Sequence, residues 1–154
     1  MKYLLLAAGL LGLASCKERG DPTPTPTPTT ISVHITSVCP GIAPSYAVIA
    51  NVNRYGAGGF LARFFQLELT QDQVDETRVV LVNPGPAYAS DSLQATIALP
   101  GPYANFSLAA TSFAQIDILV NGQVRKSARV DATTPLYNRT PYLQQSVFLR
   151  FKDL

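Results

Sequence analysis

The chain has 154 residues, 47% of them apolar and 14% charged, the second figure well below the roughly 25% of an average globular protein. Twelve Lys and Arg stand against ten Asp and Glu. This near-balance excludes the basic character of a nucleic-acid binder and gives no electrostatic footprint for a membrane surface. The length suits one targeting segment and a single domain with one ordinary core.

Lys2 opens the chain, and Tyr3 to Leu13 (YLLLAAGLLGL) follows as an apolar run of eleven residues. A bilayer needs about 20 helical residues, so this run is too short to cross one. It has the length of a secretory signal's apolar region, with small residues after it as a cleavage site requires.

The run ends on Leu13-Ala14-Ser15-Cys16. These residues resemble the lipobox of bacterial lipoproteins, whose pattern is Leu, then Ala or Ser, then Gly or Ala, then Cys, with Ser a common variant at the third position. The resemblance implies that residues 1–15 are a signal peptide cut before Cys16, and that the Cys16 thiol carries a diacylglycerol while its freed amine is acylated. Each buried CH₂ contributes about 0.8 kcal/mol, so several acyl chains on one residue hold it to the membrane. Lys17 follows the Cys in place of the Asp that retains many lipoproteins in the inner membrane, so the family's sorting rule favours the outer membrane of the cell envelope. Loss of the leader removes Lys2, leaving eleven basic residues against ten acidic ones. With Cys16 lipidated, Cys39 has no intrachain partner and is expected as a small buried apolar residue.

Residues 16–30 form the lipidated Cys and a Thr/Pro-rich linker. Its Pro-Thr alternation (DPTPTPTPTT) holds no large apolar residue, so it is expected to be disordered and extended as a polyproline II spacer. Fourteen residues after Cys16, at ~3.1 Å each, reach on the order of 40 Å.

Residues 31–154 are expected to be the folded domain. Ile31, Val33 and Ile35 alternate with polar residues, as do Tyr46, Val48, Ala50 and Val52, and a period of two marks half-buried strands. Phe60 to Thr70 reads as a strand because Phe65, Leu67 and Leu69 alternate with Gln66, Glu68 and Thr70, although Leu61, Phe64, Phe65, Glu68 and Leu69 also fit a helical face. A turn-like Gln71–Glu76 follows, then strands over Thr77–Val82, Ser92–Leu99, Phe106–Ala110, Gln115–Val120, Gln123–Val130 and Tyr142–Phe151. Asn121-Gly122 between two of these is the signature of a type I′ hairpin.

Eight or nine short antiparallel strands with frequent turns indicate an all-β fold, a single immunoglobulin-like β-sandwich. Leu99-Pro100, Leu108-Ala109-Ala110, Ile116 to Val120, Asn121-Gly122 and Gln123 to Val130 resemble the C-terminal part of small immunoglobulin-like bacterial lipoproteins, over about a quarter of the chain. That resemblance implies fold and location only.

Chemistry is sparsely encoded. His34 is the only histidine, on the polar face of its strand, and no Gly-x-Ser-x-Gly elbow accompanies it, so an exposed structural role is expected and no catalytic residue is assigned. One His and one remaining Cys lack zinc-ligand spacing. Asp72, Asp75 and Glu76 fall in what reads as a hairpin loop, where a solvated loop is preferred to a Ca²⁺ site. No cofactor or metal is expected. Arg125, Lys126 and Arg129 fit an edge strand guarded by charge. Tyr88, Tyr103, Tyr137 and Tyr142 each lie within two residues of a Pro and are the candidate binding residues, since Tyr combines a flat apolar face with a polar tip; rings packed over strand ends are the alternative. The expected partners are the membrane, through lipid on Cys16, and an envelope protein or a glycan. The expectation is a non-catalytic interaction or structural module, the other function class being a glycan- or small-ligand binder using the Tyr-rich loops.

Overall fold

The computed structural model describes residues 28–40, 47–85, 88–100, 108–135 and 142–154. The leader, Cys16, most of the linker, Tyr46, Tyr103, Phe106 and Tyr137 lie outside the described residues.

Eight strands follow in chain order: β1 (Thr30–Val38), β2 (Val48–Gly56), β3 (Gly59–Leu69), β4 (Gln73–Val82), β5 (Ser92–Pro100), β6 (Phe113–Val120), β7 (Gln123–Asp131) and β8 (Tyr142–Arg150). They form two four-stranded antiparallel sheets, β4-β1-β6-β7 and β3-β2-β5-β8. The domain is an all-β sandwich, and it shares the layered architecture of immunoglobulin-like domains with its own strand order. The period of two does the work expected of it. Ile31, Val33 and Ile35 of β1 and Ala114, Ile116 and Ile118 of β6 meet Val48, Ala50 and Val52 of β2 and Leu93, Ala95, Ile97 and Leu99 of β5 in one core, all fully buried. These four are the inner strands of their sheets, where burial is deepest.

The hairpin at Asn121-Gly122 forms as the residues require. Asn121 has φ 51° and Gly122 φ 77°, the positive values of a type I′ turn that Asn and Gly tolerate best. The segment from Phe60 is a strand and not a helix: Phe65, Leu67 and Leu69 pack against the core while Gln66 and Glu68 face solvent.

Three sequence expectations are corrected. Gln71–Glu76 is not a hairpin loop, because β3 and β4 belong to different sheets. The crossing takes only Thr70–Asp72, and Asp75 and Glu76 lie within β4, paired with Thr36 and Ile35 of β1. Each strand needs its own apolar face buried, and those faces lie on opposite sides of the same core. Leu108–Ala110, expected in a strand, lie outside all strands. Finally, β8 ends at Arg150, and Phe151 turns into a short 3₁₀ segment, Phe151–Asp153, that buries its ring.

The chain enters the domain through two reciprocal pairs. Thr29 N–H donates to Asn83 Oδ1 at 2.8 Å, and the Thr29 carbonyl oxygen accepts from Asn83 N–H at 2.7 Å. Thr30 N–H donates to Asn121 Oδ1 at 2.7 Å, and the Thr30 carbonyl oxygen accepts from Asn121 N–H at 2.8 Å. Both asparagines have positive φ. This end of the sandwich, where the linker arrives, is called the tether end below.

Cys39 is fully buried beyond the last residue of β1 and is a free thiol. Burial pushes the thiol above its ordinary value, the Asp72 charge adds to this, and the Ser112 hydroxyl beside it works the other way.

Two outcomes are expected. A fragment of residues 31–154 folds to a β-rich state by far-UV circular dichroism, since the described core begins at Ile31; a helical spectrum would contradict the strand assignment of Gly59–Leu69. Native Cys39 resists a thiol reagent at pH 8 and reacts once urea unfolds the chain. Because its folded pKa is raised, its contribution to stability is complete below the ordinary thiol value and is lost as pH climbs beyond about 8.5. Rapid labelling of the native thiol would refute its burial.

Candidate functional site

The outer face of the β4-β1-β6-β7 sheet carries a polar ladder built around His34. Thr77, His34, Asp117 and Ser127 are register partners across the four strands. His34 Nε2 donates to Asp75 Oδ1 at 2.6 Å, and Nδ1 lies 3.9 Å from Asp117 Oδ2. Gln115 Nε2 donates to both oxygens of Asp117 at 3.0 Å, and Ser127 Oγ donates to Asp117 Oδ1 at 2.5 Å. Thus the carboxylate stands between hydroxyl and imidazole. A hydrolytic triad needs the imidazole in the middle, bonded to the nucleophile. His34 is on the polar face as expected, with its ring bonded to Asp75 and lying beside Asp117. Asp75 and Glu76, the members of the anticipated acidic loop within β4, bond to His34 and Arg78 respectively. The basic residues Arg125, Lys126 and Arg129 do lie on an edge strand, β7, and all are exposed.

The tether end has a different construction. Two backbone bonds lead into β5: Tyr88 N–H donates to Gly85 O and Asp91 N–H to Tyr88 O, each at 2.9 Å. Asp91 is 5% exposed. Its Oδ2 accepts from Arg54 Nε at 2.7 Å and also meets Arg54 Nη2. The same guanidinium lies 4.1 Å from the centroid of the Tyr88 ring, and Tyr88 meets Phe151 edge to face at 6.0 Å. Phe151 N–H returns to Asp91 O at 3.0 Å. Arg54 is thus held by a charge pair on one side and an aromatic face on the other, and the group seals the open end of the core.

Two concavities of about 290 Å³ each flank this seal. One is lined by Ser90, Asp91, Ser92, Arg150 and Lys152, the other by Thr29, Pro84, Gly85, Phe151 and Leu154, and they share Ala89. Beside the first runs an aromatic strip on the outer face of the β3-β2-β5-β8 sheet. Tyr55 meets Phe60 at 5.8 Å and Phe148 at 6.4 Å, both edge to face. Phe60 and Phe148 are 55% and 50% exposed.

Of the four candidate tyrosines, Tyr88 joins this end as a partly buried ring under Arg54. Tyr142 begins β8 opposite Pro100, at the far end of the sheet. Tyr103 and Tyr137 lie outside the described residues. The two described tyrosines are therefore not brought together. Tyr55, Phe60 and Phe148 were missed by the sequence reasoning. A cross-strand aromatic pair flanking Gly56–Gly59 was a legible signal for the first two, whereas Phe148 arrives only through the β5–β8 pairing.

Asp91→Asn is expected to weaken the seal. Loss of one partner of a buried pair destabilises by roughly 3–5 kcal/mol; Arg54 is 24% exposed, so about 2 kcal/mol is expected here, read from the urea midpoint. Tyr88→Ala, which removes the other side of the guanidinium's cradle, lowers Tm as well. An unchanged Tm in both variants would show that this end is not a stabilising seal.

No family model matches the chain, and no curated protein or solved structure matches it either.

Proposed function

We propose that this chain is an envelope lipoprotein, anchored through lipid on Cys16, whose β-sandwich serves as a non-catalytic interaction or structural module at the outer membrane. The carrying observation is Leu13-Ala14-Ser15-Cys16 directly after an apolar run of eleven residues. The Pro-Thr alternation behind Cys16 supports a spacer between lipid and domain.

The bonding of His34 supports a role without bond-making chemistry. Its ring is held by Asp75 and lies beside Asp117, and Ser127 is engaged by the Asp117 carboxylate. Binding by the Tyr-rich loops is the competing function. At Tyr88 the stacking beneath Arg54 and against Phe151 favours corner packing over ligand contact.

Metabolic labelling with an alkyne fatty acid tests the anchor. The wild-type chain is expected to incorporate label and to migrate as the shortened form, while Cys16→Ala loses the label and stays uncleaved or leaves the membrane fraction. Normal labelling and membrane fractionation of Cys16→Ala would refute lipidation at this residue.

A further inference from the structure

The large apolar side chains exposed on this domain are not scattered. Phe60, Leu61 and Phe148 from one sheet, Val79, Val82 and Val124 from the other, and the terminal Leu154 make up the exposed large hydrophobics among the described residues. Each strand residue lies within four positions of its strand's tether-end terminus. Register ties those termini together: Thr30 faces Val82, Val120 faces Gln123, and Phe60, Tyr55, Ser92 and Arg150 form one row across the other sheet. Thr29 and Phe151 line one concavity, so the two sets of termini share one end of the sandwich.

Charge is sorted along the same axis. Arg125, Lys126, Arg150 and Lys152 are exposed near the tether end, and among the described residues none of them forms an ion pair. Asp91, the buried acid there, is neutralised by Arg54. Glu68, Asp72, Asp75, Glu76 and Asp131 lie in the opposite half of their sheets or in the connection at that end, with Arg129 as the exposed base among them, and Asp153 is the one exposed acid described at the tether end. A surface with exposed aromatic and aliphatic groups interspersed with unpaired cations matches an anionic bilayer interface, where rings sit at head-group level and cations meet lipid phosphates.

We infer that the tether end of the sandwich docks on the anionic membrane surface to which the same chain is anchored. The docking rests on the anchoring proposed above. The chain outside the described domain arrives at this very end, at Thr29, with Cys16 only thirteen residues before it. A tether that short holds the domain at high effective concentration over the bilayer, so a weak patch is sufficient. The spacer then limits how far the domain strays and leaves the acidic end facing away from the lipid.

The chain contains no tryptophan, which permits a single reporter. Phe148→Trp and Phe60→Trp place one at the tether end, and Gln73→Trp places one at the opposite end. The full-length lipidated protein is reconstituted into vesicles of phosphatidylcholine and phosphatidylglycerol, 3:1, with brominated acyl chains. Emission from Phe148→Trp and Phe60→Trp is expected to shift to the blue and be quenched, while Gln73→Trp behaves as it does in buffer. Replacing Arg150 and Lys152 by Gln in the Phe148→Trp background weakens docking about fivefold per charge, as does omitting phosphatidylglycerol. Protein that floats with the vesicles but shows equal or no quenching at the two ends overturns the docking and leaves the anchor intact. Quenching that ignores both the Gln replacements and the lipid charge overturns the match to an anionic surface. Protein that does not float overturns the anchor and the docking together.

Discussion

Everything in this domain depends on closing one dry layer between two sheets. The described residues contain no disulfide and give the core almost no aromatic filling apart from Phe151. Cohesion therefore comes from β-branched and aliphatic side chains at every second position of β1, β2, β5 and β6, buried completely. Burial contributes on the order of 25 cal/mol per Å², and a one-residue slip of any inner strand would turn its whole apolar set to water. The outer faces carry no such constraint, which is why they can diverge: a hydrogen-bonded polar ladder on one sheet and an aromatic strip on the other.

The ends of a sandwich are its weak points, since strands stop there and core side chains meet solvent. At the tether end the solution is polar. Arg54 points inward near the end of β2 because it continues the alternation of Val48, Ala50 and Val52, opposite buried Leu93 of β5, and Asp91 meets it from the connection leading into β5. Taking a charge pair out of water is costly. The Tyr88 face over the guanidinium offsets part of that cost, and the Phe151 N–H bond to the Asp91 backbone carbonyl ties the C-terminal segment to the same point. Leu61 presses close to Gly56, where an added Cβ would lie 2.8 Å from its Cδ1, so the β2–β3 turn admits only glycine at that position without movement. The two asparagine pairs at Thr29 and Thr30 complete this end, so any pull on the linker is delivered to backbone held by β4 and by the β6–β7 hairpin.

Net charge proved a poor guide to surface electrostatics. The near-balance of acids and bases removes any long-range field, yet strand register gathers most of the exposed acids of the described strands at one end and leaves a mainly basic, apolar surface at the other. A linear count cannot see this because antiparallel pairing places Arg150 at the end of β8 beside Ser92 at the start of β5, residues far apart in the chain. The acidic group at Asp72–Glu76 shows the same effect: it is contiguous in sequence, yet within β4 Asp75 is taken up by His34 and Glu76 by Arg78.

What the sequence determined by itself is local. A period of two specified the strands and their buried faces, Asn121-Gly122 specified its turn through the positive φ both residues accept, and the solitary His34 fell on a polar face. Only the tertiary structure decided which strands are neighbours. It separated β3 from β4, which adjacency in sequence had joined as a hairpin, because each must bury its own apolar face on an opposite side of one core. It also placed Tyr88 under a guanidinium and Tyr142 at the far end of its sheet, though both sit beside prolines in the sequence. Pairing between strands distant in the chain depends on packing and on loop-closure entropy, and neither is written in any short window of residues.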